Sequence, residues 1–296
     1  MFHRVLVANR GEIAVRIIRE CRLWGIETVA VYSDCDADAL HVKLADRAVR
    51  IGTDDPGDSY LNIEKVIRTA VESKSDALHP GYGFISDNWI LAAGCEEAGI
   101  AFIGPSPKTL STVANKVDFK RRVRSIGVPT IEGSAQVIDS LDEAKKVAKE
   151  MGYPVLLKSA FGGGGRGIRS AASERELVDN FNVASTETRR AFGRAGMYIE
   201  KLVSPARHIE VQILADGHGA TIHLGERECS IQRRHQKLLE LTPSPAVDEA
   251  LRKKVGGYAV AIARAVDYKN AGTMEFLMDA DHNFYFIEVN ARLQVE

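Results

Sequence analysis

The sequence predicts a chain of mixed α/β and α+β class, and three observations carry that prediction. The first ~110 residues alternate short apolar runs with helical patterns, and strand–helix alternation with short connections builds a largely parallel sheet. A smaller unit follows, interrupted by the glycine-rich run Phe161-Gly162-Gly163-Gly164-Gly165-Arg166-Gly167. From His208 onward strand patterns succeed one another around a single helical stretch, which predicts an antiparallel sheet.

Taken in order, Val5-Leu6-Val7-Ala8 reads as a buried strand. Ile13, Ile17, Ile18 and Cys21 then mark one face of a helix over 12–24. A strand is predicted at 28–32, with further elements around 48–51, 61–72, 77–79 and 100–103. Gly104-Pro105-Ser106-Pro107 punctuates the end of this unit. A Lys- and Arg-rich helical connection over 107–126 leads into the smaller unit, with a helix at 141–151, a strand at 154–158, the glycine loop, a helix from Glu174 and a strand at 196–201. Strands are then predicted at 208–215, 220–226, 273–278 and 284–292, with a helix over 248–265. The expected divisions are 1–114 for the N-terminal domain, 115–203 for linker helix and lid, and 204–296 for the final sheet unit. Gln294-Val295-Glu296 falls inside a strand pattern, so the sequence is expected to be a piece of a longer protein.

Composition narrows the function classes. A length of 296 residues with 45% hydrophobic and 27% charged content is ordinary for a globular chain of about two domains. A net charge of −1 gives no electrostatic case for nucleic acid or an anionic membrane. No apolar run approaches the ~20 residues of a membrane span, and Met1-Phe2-His3-Arg4 leads straight into a strand without signal-peptide architecture. Cys21, Cys35, Cys95 and Cys229 are scattered, which favours free thiols in a reducing compartment, the cytoplasm or, in a eukaryote, the mitochondrial matrix. The histidines show no metal spacing, and His218 and His223 read as structural.

The chemistry concentrates in two late strand patterns, Met274-Glu275-Phe276-Leu277 and Phe286-Ile287-Glu288-Val289-Asn290-Ala291-Arg292, joined by a polar turn over 279–283. Strand alternation puts Glu288, Asn290 and Arg292 on one face, and continues to Gln294 and Glu296. A carboxylate in an apolar strand is costly unless a cation or partner compensates. Glu275, Glu288 and Asn290 offer the hard oxygens that Mg²⁺ takes; satisfied core salt bridges are the alternative. The glycine run follows a strand containing Lys158. Consecutive glycines let backbone N–H groups wrap an anion, so a lid over a triphosphate stands against a plain flexible turn. Lys116 is a second phosphate cation or a solvated lysine. The 197–203 segment reads as a strand leaving the small unit, and the basic, amide-rich run 227–237 as a surface loop or an anion site.

Five motifs together resemble the biotin carboxylase family, the ATP-grasp component of biotin-dependent carboxylases. They are the 5–14 stretch Val-Leu-Val-Ala-Asn-Arg-Gly-Glu-Ile-Ala, His79-Pro80-Gly81-Tyr82-Gly83-Phe84, Lys158 with the glycine loop, Gln232-Arg233-Arg234-His235-Gln236-Lys237, and Glu288 through Glu296. The resemblance implies a Rossmann-like (pre-ATP-grasp) parallel-sheet domain followed by an ATP-grasp fold with a glycine-rich lid. It implies that ATP and bicarbonate give carboxyphosphate, whose CO₂ passes to N1′ of biotin on a carrier protein or domain. By position, Lys116, Lys158, Gly164, Gly165, His208, Gln232 and His235 are expected to meet nucleotide, with the hinge Glu200, Lys201, Leu202 and Val203. Glu275, Glu288 and Asn290 are expected to hold Mg²⁺ (or Mn²⁺). Lys237, Arg292, Gln294, Val295 and Glu296 are expected around bicarbonate, with Glu296 as base and Arg292 steadying the reacting biotin. A carboxyltransferase partner and a homodimer are also implied. Asn115, Phe161 and Trp89 depart from the family's usual residues, and no Met-Lys-Met biotinylation sequence is present. Another ATP-grasp carboxylate–amine ligase, or a silent nucleotide-binding module, are the competing readings.

Overall fold

The structure, a computed structural model, describes residues 1–159, 168–192, 196–233 and 236–296. Its N-terminal domain contains β1 (Arg4–Val7), α1 (Gly11–Leu23), β2 (Glu27–Ser33), α2 (Leu40–Leu44), β3 (Arg47–Gly52), α3 (Ile63–Glu72), β4 (Ala77–His79), α4 (Trp89–Glu97) and β5 (Ala101–Phe102). The strands form one parallel sheet in the order β3-β2-β1-β4-β5. Strands covered by helices on both faces read as continuous apolar runs. Thus Leu6, Val29 and Val31 pack toward Val66, Ala70 and Leu91, while Val7 and Ala30 pack toward Ile13, Ile17 and Ile18 of α1. Helix α4 was not predicted: its Trp-Ile-Leu-Ala-Ala-Gly sequence is apolar all round and shows no clear stripe. Its start is set by Asn88, whose side chain accepts from the Ile90 amide at 2.9 Å.

The expected helical connection over 107–126 is two helices, α5 (Pro107–Ala114) and α6 (Lys116–Ser125). Asn115 divides them, because its side-chain oxygen caps α6 by accepting from the Asp118 amide. The lid unit follows as α7 (Leu141–Met151), β6 (Val155–Ser159), β7 (Arg169–Ala171), α8 (Glu174–Phe192) and β8 (Met197–Lys201). Its antiparallel sheet runs β7-β6-β8.

The last unit holds β9 (Ala206–Ala215), β10 (Thr221–Arg233), β11 (Gln236–Leu241), α9 (Glu249–Ala265), β12 (Asn270–Asp279) and β13 (Phe284–Asn290), in the sheet order β11-β10-β9-β12-β13. Ile209, Val211, Ile213, Met274, Phe276 and Phe286 bury one face of this sheet against Val255, Ala259 and Ile262 of α9. His223 packs on α9 at Gly256, where a Cβ would approach its ring to 2.6 Å; the structural reading of this histidine holds.

Two sequence expectations fail here. The 227–237 run is not a surface loop. Its described residues belong to β10 and β11, paired Gln232 to Lys237; Arg227 and Lys237 meet Glu210 on the sheet face away from α9, while Glu228 pairs with Ile209 on the α9 side. The strand pattern beginning at 284 also stops at Asn290, paired with Thr273. Residues 291–296 run irregularly, with Ala291 buried and Leu293 packed against the α1 cluster. A period of two therefore cannot place Arg292, Gln294 and Glu296 on one strand face.

Candidate active site

A cavity of about 570 Å³ lies between the lid and the last sheet. Its polar wall begins with a cross-strand row on the sheet face opposite α9: Arg227 pairs with Glu210, Glu210 with Glu275, and Glu275 with Glu288. A bulge makes the last pairing possible. The register passes from Glu275–Glu288 to Phe276–Phe286, leaving Ile287 extra, so Phe286 enters the core while Glu288 faces the cavity. Asn290, two residues on, faces it as well.

Three acids side by side require compensation, and cations from three elements, α6, β9 and β11, supply it. Lys116 of α6 sits 2.7 Å from Glu288. His208 reaches Glu275 at 3.1 Å and Glu210 at 3.2 Å, and Lys237 of β11 reaches Glu210 at 2.5 Å. The protonation pattern follows. Burial works against the Glu210 carboxylate, but His208 and Lys237 hold it down to about 2. Burial likewise opposes the His208 imidazolium, yet the two carboxylates raise it to about 10. Burial and then repulsion from Glu288 push Glu275 up; burial works the same way on Glu288, but Lys116 with Lys158 and Lys120 holds it down. Opposed carboxylates with opposite shifts leave a place where a further cation relieves strain. Glu275, Glu288 and Asn290, whose side-chain nitrogen lies 2.5 Å from Glu275, form an oxygen-rich set that fits a hard divalent ion. His208, Glu210 and Glu275 also converge among the described residues, where the His208 imidazolium itself offsets the two carboxylates.

On the lid side Lys158 faces the cavity and pairs with Glu200 at 2.5 Å; burial lowers its ammonium to about 8. Glu200 is fully buried and also meets Lys120 of α6. Of the expected hinge, Leu202 and Val203 line the cavity. The Glu200 side chain turns to the two lysines, and Lys201 donates to the carbonyls of Gly152 and Tyr153 at 2.8 and 3.1 Å. Gln232 also lines the cavity and touches His208 at 2.8 Å. Gly164, Gly165 and His235 lie outside the described residues.

At the far end Lys237, Arg292 and Gln294 line the cavity. Gln294 accepts from Arg227 at 2.6 Å, and Glu296 reaches the group through Lys237 at 3.1 Å. Val295 is 64% exposed and stays outside the cavity wall. Glu210 and Lys120 escaped the sequence reading. The alternation His208-Ile209-Glu210-Val211-Gln212 carried a signal for Glu210, since it sets three polar residues on one face. Lys120 had none, being one cation among many on a basic helix.

Two family models match the chain: biotin carboxylase, N-terminal domain, over residues 1–110, and carbamoyl-phosphate synthase L chain, ATP binding domain, over 115–296. Biotin carboxylase 1 of Bacillus subtilis is 50% identical over 297 residues, covering 100% of this chain and 66% of the relative. Biotin carboxylase 2 of the same organism is 49% identical, with 100% and 67% covered. The chain thus spans about two thirds of the length of these relatives. Among solved structures, the biotin carboxylase domain dimer of Hydrogenobacter thermophilus 2-oxoglutarate carboxylase, in complex with MgADP, ADP and bicarbonate, superposes with a TM-score of 0.97 at 50% identity, covering 100% of this chain and 65% of that one. A Campylobacter jejuni biotin carboxylase–β-γ-ATP complex also gives 0.97, at 45% identity and with 100% and 66% covered. The parallel N-terminal sheet, the lid and the antiparallel sheet with its acid row are thus an ATP-grasp arrangement, and the chain belongs to the biotin carboxylase family.

Proposed function

We propose that this chain carries the site for ATP- and bicarbonate-dependent carboxylation of biotin, the first half-reaction of a biotin-dependent carboxylase. The observation that carries the reading is the meeting of three groups around one cavity: the phosphate cations Lys116 and Lys158, the acids Glu275 and Glu288 with Asn290, and the anion end of Lys237, Arg292 and Gln294 with Glu296.

The residues divide the work. Lys116 and Lys158 offset the phosphate charge, and Leu202 and Val203 border the nucleotide base. Glu275, Glu288 and Asn290 would hold Mg²⁺ or Mn²⁺, which when bound would neutralise phosphate charge. Lys237 holds bicarbonate against the triphosphate. Burial opposes ionisation of Glu296, but its own backbone amide and then Lys237 keep its carboxyl below the usual range, so it is an anion at neutral pH. It takes the bicarbonate proton as the bicarbonate oxygen bonds to the γ-phosphorus and ADP leaves. Carboxyphosphate then splits into CO₂ and inorganic phosphate, which takes the N1′ proton as N1′ of biotin bonds to the CO₂ carbon, while Arg292 steadies charge on the ureido oxygen. The biotin would arrive on a carrier protein or domain, with a carboxyltransferase completing the reaction, in a cytoplasmic homodimer. Among the described residues no helix is long and apolar enough to cross a membrane.

Bicarbonate-dependent ATP hydrolysis, followed with labelled bicarbonate and free biotin, tests the proposal. Nucleotide binding without bicarbonate-dependent turnover would mean a silent nucleotide-binding module instead.

A further inference from the structure

We propose that Asp87 is a positioning residue for Arg292, so that the loop between β4 and α4 of the N-terminal domain sets the geometry at the anion end of the site. The inference rests on the reading above, in which Arg292 faces bicarbonate and the reacting biotin.

Arg292 lies beyond the last paired residue of β13, so no ladder fixes the direction of its side chain. A long side chain with several rotors loses much entropy when held, and a charged hydrogen-bond partner is the usual compensation. Three acceptors surround the guanidinium: Asp87 at 3.0 Å, the carbonyl of Leu293 at 3.2 Å and the side-chain oxygen of Asn290 at 3.3 Å. Asp87 is the nearest and the only one carrying charge. It engages Nε, which leaves hydrogens on both Nη atoms for an incoming oxyanion. The Arg292 side chain is 22% exposed and lines the cavity, while the Asp87 side chain is 53% exposed, so the carboxylate reaches the arginine from the rim of the site.

The loop that presents Asp87 is anchored on both sides of it. Ile85 and Ser86 are buried, the Ser86 amide donates to Gly83 and the Asn88 amide to Ile85. Asn9, after β1, donates to the carbonyls of Pro80 and Tyr82 at 2.8 Å each. Ser86 shares a small cavity, about 50 Å³, with Ala291, Arg292 and Leu293, so loop and arginine segment form one wall. The topology explains the location. The chain builds β1, β2 and β3 in one direction and then crosses to place β4 on the other side of β1. In parallel sheets the loops at the carboxyl ends beside such a reversal border ligand sites. Here that crevice is filled by the Asn9 amide, and the domain's contribution to the neighbouring site is the Asp87 carboxylate.

The decisive experiment is a double-mutant cycle read as Michaelis constants. Asp87→Ala is expected to raise the bicarbonate KM about tenfold, the scale of a lost charge-assisted hydrogen bond, with the ATP KM within about twofold. Asp87→Glu is expected to restore most of the effect. In an Arg292→Ala background, Asp87→Ala should add less than about twofold, because its action passes through the arginine. A bicarbonate KM unchanged by Asp87→Ala, or an effect that persists in full without Arg292, overturns the proposal. A second readout needs no turnover: phenylglyoxal modification of Arg292, followed by mass spectrometry. Asp87→Ala should speed it at least about threefold by freeing the guanidinium, and equal rates overturn the assignment. If the parent shows no bicarbonate-dependent turnover, the functional reading falls, and the phenylglyoxal rates alone decide the role of Asp87.

Discussion

Glu275 and Glu288 stand opposite each other across β12 and β13, brought into register by the extra residue Ile287. Cross-strand partners of like charge destabilise a sheet; Glu288 is offset by Lys116 at 2.7 Å, while among the described residues Glu275 meets no lysine and shares the His208 imidazolium, at 3.1 Å, with Glu210. The pair is therefore a strained element in the absence of a divalent ion. Glu275→Gln should leave the metal-free protein at least as stable as the parent while abolishing the rise in melting temperature that MgADP gives. Glu288→Gln should keep the fold and lower turnover by about 10²-fold, a typical loss for a group that supports charge at the reacting phosphate. Thermal melts with and without MgADP decide it, and an unchanged MgADP shift in both variants removes these residues from the metal site.

Glu296 is expected to be the proton acceptor. Glu296→Ala should reduce bicarbonate-stimulated ATP hydrolysis by ~10²–10⁴-fold, the usual contribution of a general base, with ADP affinity near the parent's by calorimetry. A loss below about tenfold is too small for that role.

The lid meets the linker helix through a buried ion pair. Glu200 has no exposed surface and is shared by Lys120 and Lys158. Removing one partner of such a pair leaves an uncompensated buried charge, at a cost of about 3–5 kcal/mol. Since Lys158 remains beside Glu200, Lys120→Ala should fall at or below the lower end of that range, about 3 kcal/mol by urea unfolding. A change under about 0.5 kcal/mol, the level of an ordinary surface substitution, would show that Lys158 alone satisfies Glu200.

Acid stability should depend on Asp36. It is buried, accepts from Arg10 Nε and Nη2 at 2.5 Å each and from the Tyr60 hydroxyl at 2.7 Å, and the arginine holds its carboxyl down to about 2. Its ordinary value is 3.8. A depressed folded-state value means the stabilisation is present in full above 3.8 and is lost as pH falls through about 2. Asp36→Asn should lower stability at neutral pH by about 1–3 kcal/mol and flatten the loss across that acidic window. Urea midpoints from pH 7 downward measure both, and parallel curves for parent and variant would refute the linkage.

Much of this was legible in the chain itself. Unbroken apolar runs such as Val5-Leu6-Val7 announce buried strands, and the spacing of Ile13, Ile17, Ile18 and Cys21 announces the first helix. Carboxylates inside apolar strands announce a compensated site, which is how Glu275 and Glu288 stand out. Those signals are local: each depends on the period of an element or the cost of burying a charge. What tertiary structure alone decided is register and approach. The bulge at Ile287 chooses which face Glu288 takes, because the core claims Phe286. Sheet pairing draws Arg227 and Lys237, read from the sequence as part of a loop or anion site, into strands beside Glu210, and Lys120 acquires meaning only when the lid sets Glu200 against it. Arg292 and Asp87, 205 positions apart, meet because the last sheet and the N-terminal domain pack together. No sequence period encodes that meeting, since it arises between elements whose separation along the chain has no bearing on their distance in space.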